Sequence, residues 1–259
     1  MREVETCLIS CSMNITENIT GKNILLIGGG SGMGEATALA LANKGAKVAI
    51  TGRHIETLNR TASQEYKVGS ILCKVSDVAD RESLNALFEW FDREVGKLDY
   101  LVHAAGINVA MRSMQELAPE EWDQLIRINL TGSYNVMRLA LERMRPQKQG
   151  LIILINSVAG RRSVPLAGIG YNASKFGMSG LGVGVAEEEK DNGIRITNIY
   201  PGEVNTPILE NRKNTPTQEH RNSILQPEDI ASVIVQVCRL PERAHISELV
   251  IKPTKQSFV

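Results

Sequence analysis

Short β-branched runs alternate with longer helical patterns along this chain, and no other feature restricts its fold so tightly. The runs are Asn23–Ile27, Val48–Thr51, Ile71–Lys74, Tyr100–His103, Leu151–Asn156, Arg195–Tyr200 and Leu249–Ile251. They are apolar on both faces instead of alternating, as strands are when helices cover both sides of a parallel sheet. Helical patterns fall between them near 33–44, 55–65, 80–95, 119–145, 172–191 and 227–239. Gly45, Gly96 and Gly193 stand where helix C-terminal glycines belong. Strict alternation predicts a doubly wound α/β fold, a seven-stranded parallel sheet with helices on both faces.

No linker, repeat or low-complexity stretch divides the pattern, so residues 22–259 are expected to form a single domain. Hydrophobic residues make up 42% of the chain, enough for a full core. Twenty-nine basic residues balance 29 acidic ones, which gives no field to steer the protein toward nucleic acid or membrane. No apolar run reaches the roughly 18 residues that cross a bilayer. The four cysteines, Cys7, Cys11, Cys73 and Cys238, are scattered and form no metal-ligand cluster with the histidines. That predicts a reducing, cytoplasmic setting and no metal, with Cys73 and Cys238 as small core residues. Residues 1–21 read as an extended or mobile leader. Leu8-Ile9-Ser10-Cys11 lacks the apolar signal core of a lipoprotein box, and Asn14-Ile15-Thr16 and Asn18-Ile19-Thr20 are glycosylation patterns that mean nothing without secretion.

The first run leads into Gly28-Gly29-Gly30-Ser31-Gly32-Met33-Gly34 and then a helix. Glycines there permit a tight turn, close approach of backbone N–H groups to a pyrophosphate, and packing of helix on strand, while the helix N-terminus faces the anion. A glycine-rich turn alone also serves purely structural ends. Its place after the first strand and before the first helix points to a Rossmann-type dinucleotide site, although the spacing is not GxGxxG. The second run ends in Thr51-Gly52-Arg53-His54, with no carboxylate to grip a ribose hydroxyl. Arg53, with His54 beside it, is placed to pair with a 2′-phosphate, which favours NADP(H) over NAD(H). A solvated surface arginine is the plainer alternative.

Tyr171-Asn172-Ala173-Ser174-Lys175 puts a phenol and an ammonium at i and i+4 on one helical face. Acid/base work near neutrality requires the phenol pKa to fall from about 10, and a neighbouring ammonium drives it in that direction. Ser157 follows the fifth strand at the carboxyl edge of the sheet, where open α/β folds bind ligands.

With these residues in place, the chain resembles the classical short-chain dehydrogenases/reductases across roughly residues 22–254. Further matches occur in order: Asp77-Val78 resembles the adenine-contacting segment, and His103-Ala104-Ala105-Gly106 stands where the family has Asn-Asn-Ala-Gly. Asn129 in Asn129-Leu130-Thr131-Gly132 is similar to the family's helix asparagine, and Pro201-Gly202 with Val204 and Thr206 to its nicotinamide-contacting segment. The resemblance implies an NADP(H)-dependent oxidoreductase acting on a small-molecule carbonyl or alcohol. It implies Tyr171 as proton donor in reduction, Lys175 as holder of the nicotinamide ribose, Ser157 as binder of substrate oxygen and Asn129 as holder of a relay water. Gly28, Gly30, Ser31, Gly32, Met33, Gly34, Ala104, Ala105 and Gly106 would cradle the dinucleotide. The resemblance also implies a homodimer or homotetramer, for which Met137, Leu139, Leu141, Met178, Leu181 and Val185 offer apolar side chains that serve equally well as ordinary core.

Two departures stand out. Ile27 replaces a threonine before the first glycine, and His103 and Ala104 replace two asparagines. His103 is expected to be a core histidine in a structural role and not a titrating group. Arg161-Arg162 offers charge for an anionic substrate, although loop arginines are more often simply solvated; Glu187-Glu188-Glu189 reads as a solvated face, and the polar stretch 203–226 falls where the resembled family places a mobile substrate lid. The ending Glu248-Leu249-Val250-Ile251-Lys252-Pro253-Thr254 is similar to that of NADP-dependent members that oxidise 3-hydroxy acids or serine. A 3-oxoacyl reductase and a 3-hydroxy acid dehydrogenase are therefore the specific alternatives. A protein that senses NADP(H) without turnover is the alternative of a different class.

Overall fold

The computed structural model describes residues 18–257. Seven parallel strands lie in the order β3-β2-β1-β4-β5-β6-β7: β1 Asn23–Ile27, β2 Lys47–Gly52, β3 Ser70–Val75, β4 Tyr100–His103, β5 Gly150–Ile155, β6 Ile194–Pro201 and β7 Glu248–Ile251. Each of the seven runs read from the sequence is a strand, with ends that agree within one residue. The order reverses direction between β1 and β4, so the carboxyl ends of those two strands open a crevice at the switch point.

The helices are α1 Gly32–Asn43, α2 Ile55–Ala62, α3 Arg81–Glu94, α4 Pro119–Leu125, α5 Gly132–Met144, α6 Ile169–Glu189, α7 Gln218–Ser223 and α8 Pro227–Cys238. Strand residues feed two cores by turns. Ile24 and Leu26 pack with α1 and α8 on one face, and Leu25 and Ile27 pack with α3, α5 and α6 on the other. Inner strands β4 and β5 are buried throughout, whereas edge strands β3 and β7 are only partly buried. That gradient is why the inner runs read as continuous apolar segments.

The sequence pattern misses three features. The stretch expected as one helix over 119–145 contains a π-helical segment, Ile126–Thr131, between α4 and α5. One wide turn shifts the helical phase too little to disturb an apolar periodicity. Helix α7 is too short to show a period. Of the expected leader, residues 1–17 lie outside the described residues, but 18–21 are packed: Ile19 is buried in the α1/α8 core, and the Gly21 N–H donates to Gly45 O at 2.9 Å. Folded structure therefore begins before Lys22.

Packing decides one open reading and corrects another. Met137, Leu139, Leu141 and Met178 are buried, and Leu181 and Val185 pack against the same core, so these residues fill the interior. Glu189 is not solvated. Its side chain is 3% exposed because Arg145, at 2.5 Å, and Asn192, at 2.8 Å, take its two oxygens. Among the described residues, no helix is long and apolar enough to cross a membrane.

Candidate active site

The turn after β1 is held by the neighbouring strands. Gly28 and Gly29 N–H groups donate to Thr51 O at 2.8 and 3.0 Å, and Ala104 N–H donates to Ile27 O at 2.8 Å. These bonds brace the turn, and Ile27 fills the core where a threonine side chain would otherwise brace it. Gly28 has φ +88°, and a Cβ there would stand 2.7 Å from Ala105 N. A Cβ on Gly34 would stand 2.0 Å from Gly28 O, so only glycine lets α1 settle this close to the turn. The result is a row of backbone donors at the N-terminus of α1, capped by Ser31, whose hydroxyl makes no capping bond. This geometry suits a pyrophosphate.

A cleft of about 480 Å³ runs along this edge. Of the sequence-predicted cofactor residues, Gly28, Gly30, Ser31, Gly32, Met33, Gly34, Arg53, His54, Asp77, Val78, Ala104, Ala105, Gly106, Tyr171, Lys175 and Thr206 all line it. Arg53 and His54 are exposed at one end, and Arg53 makes no ion pair with any described residue. Pro201, Gly202 and Val204 do not line the cleft; they border an adjoining cavity of about 160 Å³, together with Ser157. Tyr171 and Thr206 belong to both spaces. Cleft residues with no signal in the sequence include Thr57, Ser76 and Ile107, placed there by topology alone.

Tyr171 lies in the first turn of α6, and Ser157, just past β5, hydrogen-bonds its phenol. Burial pushes the phenol up to about 12, opposed by the Ser157 bond and by the charge of Arg112. This reverses the expected fall. Lys175 is itself buried and pulled down to about 8; its Nζ donates to Ile155 O at 3.2 Å and lies 5.7 Å from the Tyr171 ring centre. Desolvation of the phenol outweighs an ammonium at that range. The phenol is consequently protonated at neutral pH, the form a proton donor needs.

Asn129 sits inside the π-helical segment. Its Oδ1 accepts from Ile107 N at 2.8 Å, and its Nδ2 donates to Ile107 O at 3.0 Å and Ser174 Oγ at 3.1 Å. The side chain thus clamps the loop after β4 to α6, and a relay water would have to use the Asn129 carbonyl. That carbonyl already accepts from Ser133 Oγ at 2.6 Å. Because the Ser133 proton points there, the Ser133 oxygen must accept from His103 Nε2, 3.0 Å away. His103 is therefore the neutral Nε2–H tautomer, fully buried, its pKa lowered to about 3 by burial and then by Lys175. Its Nδ1 has no partner among the described residues.

The arginine pair expected to attract an anion lies elsewhere. Arg161 donates to Glu248 at 2.6 Å and covers the Tyr200 ring, and neither Arg161 nor Arg162 lines the cleft or the small cavity. The arginines that do border the small cavity are Arg112 and Arg212, which had no motif to announce them. The expected lid comprises a 3-10 turn, Pro207–Asn211, and α7. It is stitched to the loop after β4 by Arg112 Nη2 to Asn211 O (3.3 Å), Asn211 Nδ2 to Asn108 O (3.3 Å) and Lys213 to Glu116 (3.5 Å).

Comparison with known proteins agrees with this fold. The model of the short chain dehydrogenase family matches residues 22–217. An uncharacterized oxidoreductase of Listeria monocytogenes is 33% identical over 248 residues, covering 93% of this chain and 99% of that one. Among solved structures, the closed form of a serine dehydrogenase complexed with NADP+ is similar at TM-score 0.83 and 26% identity, covering 91% of this chain and 96% of that one. A 3-ketoacyl-(acyl-carrier-protein) reductase from Brucella melitensis complexed with NADH is similar at TM-score 0.83 and 26% identity, covering 92% and 99%.

Proposed function

The chain belongs to the short-chain dehydrogenase family, and from that premise we propose that it moves a hydride between NADP(H) and a carbonyl or alcohol substrate, with Tyr171 as the acid/base. The observation that carries this reading is the position of Tyr171 at the junction of two spaces, with Ser157 on its substrate side and Lys175 on its cofactor side. The glycine cradle and the Lys175 ammonium fit a dinucleotide, and the unpaired Arg53 guanidinium fits a 2′-phosphate. The bound nicotinamide would supply or accept the hydride.

The chain's own residues handle the proton and the alignment. In reduction, Tyr171 Oη gives its proton to the substrate oxygen while the Ser157 hydroxyl holds that oxygen in line. Lys175 donates to Ile155 O at 3.2 Å and to Met178 Sδ at 3.6 Å, and keeps its third N–H for the ribose hydroxyls. Asn129 keeps the loop after β4 at the correct distance from α6. The competing reading, sensing without turnover, leaves the Ser157–Tyr171 bond without a task. Oligomer formation is part of the proposal: Tyr134 on α5 and Phe176 and Val183 on α6 are half exposed, beside Gly180 and Gly184, which face open space.

Fluorescence titration with NADPH and NADH, on the wild type and on Arg53→Glu, tests the cofactor assignment. The expected result is tighter binding of NADPH, weakened about tenfold or more by the substitution, with NADH little changed. Preference for NADH would remove the argument from Arg53. Sedimentation of the wild type and of Phe176→Glu tests the oligomer, and a monomeric wild type would end that part of the proposal.

A further inference from the structure

The small cavity beside Tyr171 is charged, and its charges do not cancel. Three ionic side chains border it: Arg112, Arg212 and Glu203. Glu203 pairs with Arg212 at 2.5 Å, and its other oxygen meets His220 Nε2 at 2.9 Å. That carboxylate is occupied. Among the described residues, Arg112 has no acidic partner. Its Nε donates to Val109 O at 2.6 Å, Nη1 to Leu166 O at 2.9 Å and Nη2 to Asn211 O at 3.3 Å. Carbonyl oxygens satisfy three of the five guanidinium N–H groups without neutralising the cation. The three carbonyls come from the loop after β4, the 3-10 turn Pro165–Ala167 and the lid, which fixes the fork in one orientation.

The charge of Arg112 reaches the Tyr171 phenol, since each favours the charged form of the other. Arg112 borders the small cavity and not the cleft, and Tyr171 borders both, so the cation stands on the Ser157 side of Tyr171. A half-buried guanidinium with N–H groups to spare is suited to a carboxylate, which it binds with charge and directed hydrogen bonds together. The cavity's net charge of one positive unit suits a single negative charge, and its small volume suits a short molecule.

On the reading of the site as a carbonyl–alcohol oxidoreductase, we infer that its substrate is a small monocarboxylic acid, a hydroxy acid or the corresponding oxo acid. Its carboxylate pairs with Arg112 while its oxygen lies at Ser157 and Tyr171. Arg112 is then a specificity-determining residue, and the Glu203–Arg212 pair excludes a second anion by holding the other guanidinium in use.

Lactate and 3-hydroxybutyrate, each beside its methyl ester, are titrated calorimetrically into the protein alone and into the protein with NADP+. At least one acid is expected to bind tenfold or more tighter than its ester. Arg112→Gln is expected to erase that difference, and Arg112→Lys to retain part of it, with melting temperature and NADP+ affinity as checks on folding. Should Arg112→Gln fail to fold, the acid-to-ester ratio of the wild type still decides. Equal binding of acid and ester, no binding of either acid, or an equal loss for both in Arg112→Gln overturns the proposal and leaves Arg112 as a brace for the lid. Acid binding that depends on Arg112 while no acid or ester changes the nicotinamide absorbance keeps the anion site and overturns the oxidoreductase reading instead.

Discussion

The two spaces that meet at Tyr171 are built by different means. The dinucleotide cleft is made from backbone at the carboxyl ends of β1, β2 and β4, where glycines let strand, turn and helix approach to contact distance. The small cavity is made from side chains of loops after β4, β5 and β6, joined by bonds such as Arg112 to Asn211, 99 residues apart. Backbone shape tolerates no added atom, whereas side-chain stitching tolerates change at each stitch. The cleft is therefore the rigid, generic half of the site and the cavity the adjustable, specific half.

That contrast is sharpest at Tyr171, which serves both. Tyr171→Phe should lower kcat by about a thousand-fold, within the range for loss of a positioned proton donor, while the dissociation constant for NADPH stays within about twofold. A large loss of NADPH binding would mean that the two halves are not separable there.

His103 is buried at the end of β4 against Ser133, and its proton count differs between folded and unfolded chains. Folded His103 stays neutral until about pH 3, whereas unfolded histidine binds a proton below about 6.5. Between those values the unfolded chain holds the extra proton, so stability falls as pH falls, at about 1.4 kcal/mol per pH unit for this group. The contribution accumulates to several kcal/mol. Denaturant melts of the wild type and of His103→Asn should diverge in slope across that window; parallel slopes would refute the buried neutral tautomer.

Gly34→Ala probes the backbone half. The added carbon overlaps Gly28 O, so α1 must withdraw, and the expected cost is about 1–3 kcal/mol of stability with a tenfold or greater loss of NADPH affinity. Unchanged NADPH affinity would show that the turn gives way as easily as a side chain. At the other extreme, Lys213→Ala removes an exposed stitch to Glu116 and should change stability by less than about 0.5 kcal/mol and KM by less than twofold. A larger shift in KM would make the lid less tolerant than the comparison holds.

The same division explains what could be read from the sequence. Residues Gly28–Gly34, Arg53, Asp77 and Tyr171–Lys175 occur in local order, so periodicity and motif place them on the correct edge of the sheet. Arg112 lies in a loop with no period, and its partners are carbonyls, which any residue supplies; no side-chain pattern marks them. The proximity of Arg161 in sequence to Ser157 and Tyr171 says nothing of the Glu248 carboxylate that captures it. Met137 and Leu139 stayed open between interface and core for a similar reason: an apolar helix position does not say which neighbour covers it. Asn129 was located correctly, but the π-helical turn that lets it reach Ile107 leaves no mark on hydropathy.

One wall is common property of the two spaces. Met33, Asn156, Tyr171, Thr206 and Ile208 border the cleft and the cavity alike. A molecule that shifts or steadies those five side chains from one side changes the affinity felt on the other. By thermodynamic linkage the effect is reciprocal: the factor by which a nucleotide alters the hold on a second ligand equals the factor by which that ligand alters the hold on the nucleotide. The two occupancies thus form a closed cycle with a single coupling constant, which four titrations measure and any three of them predict.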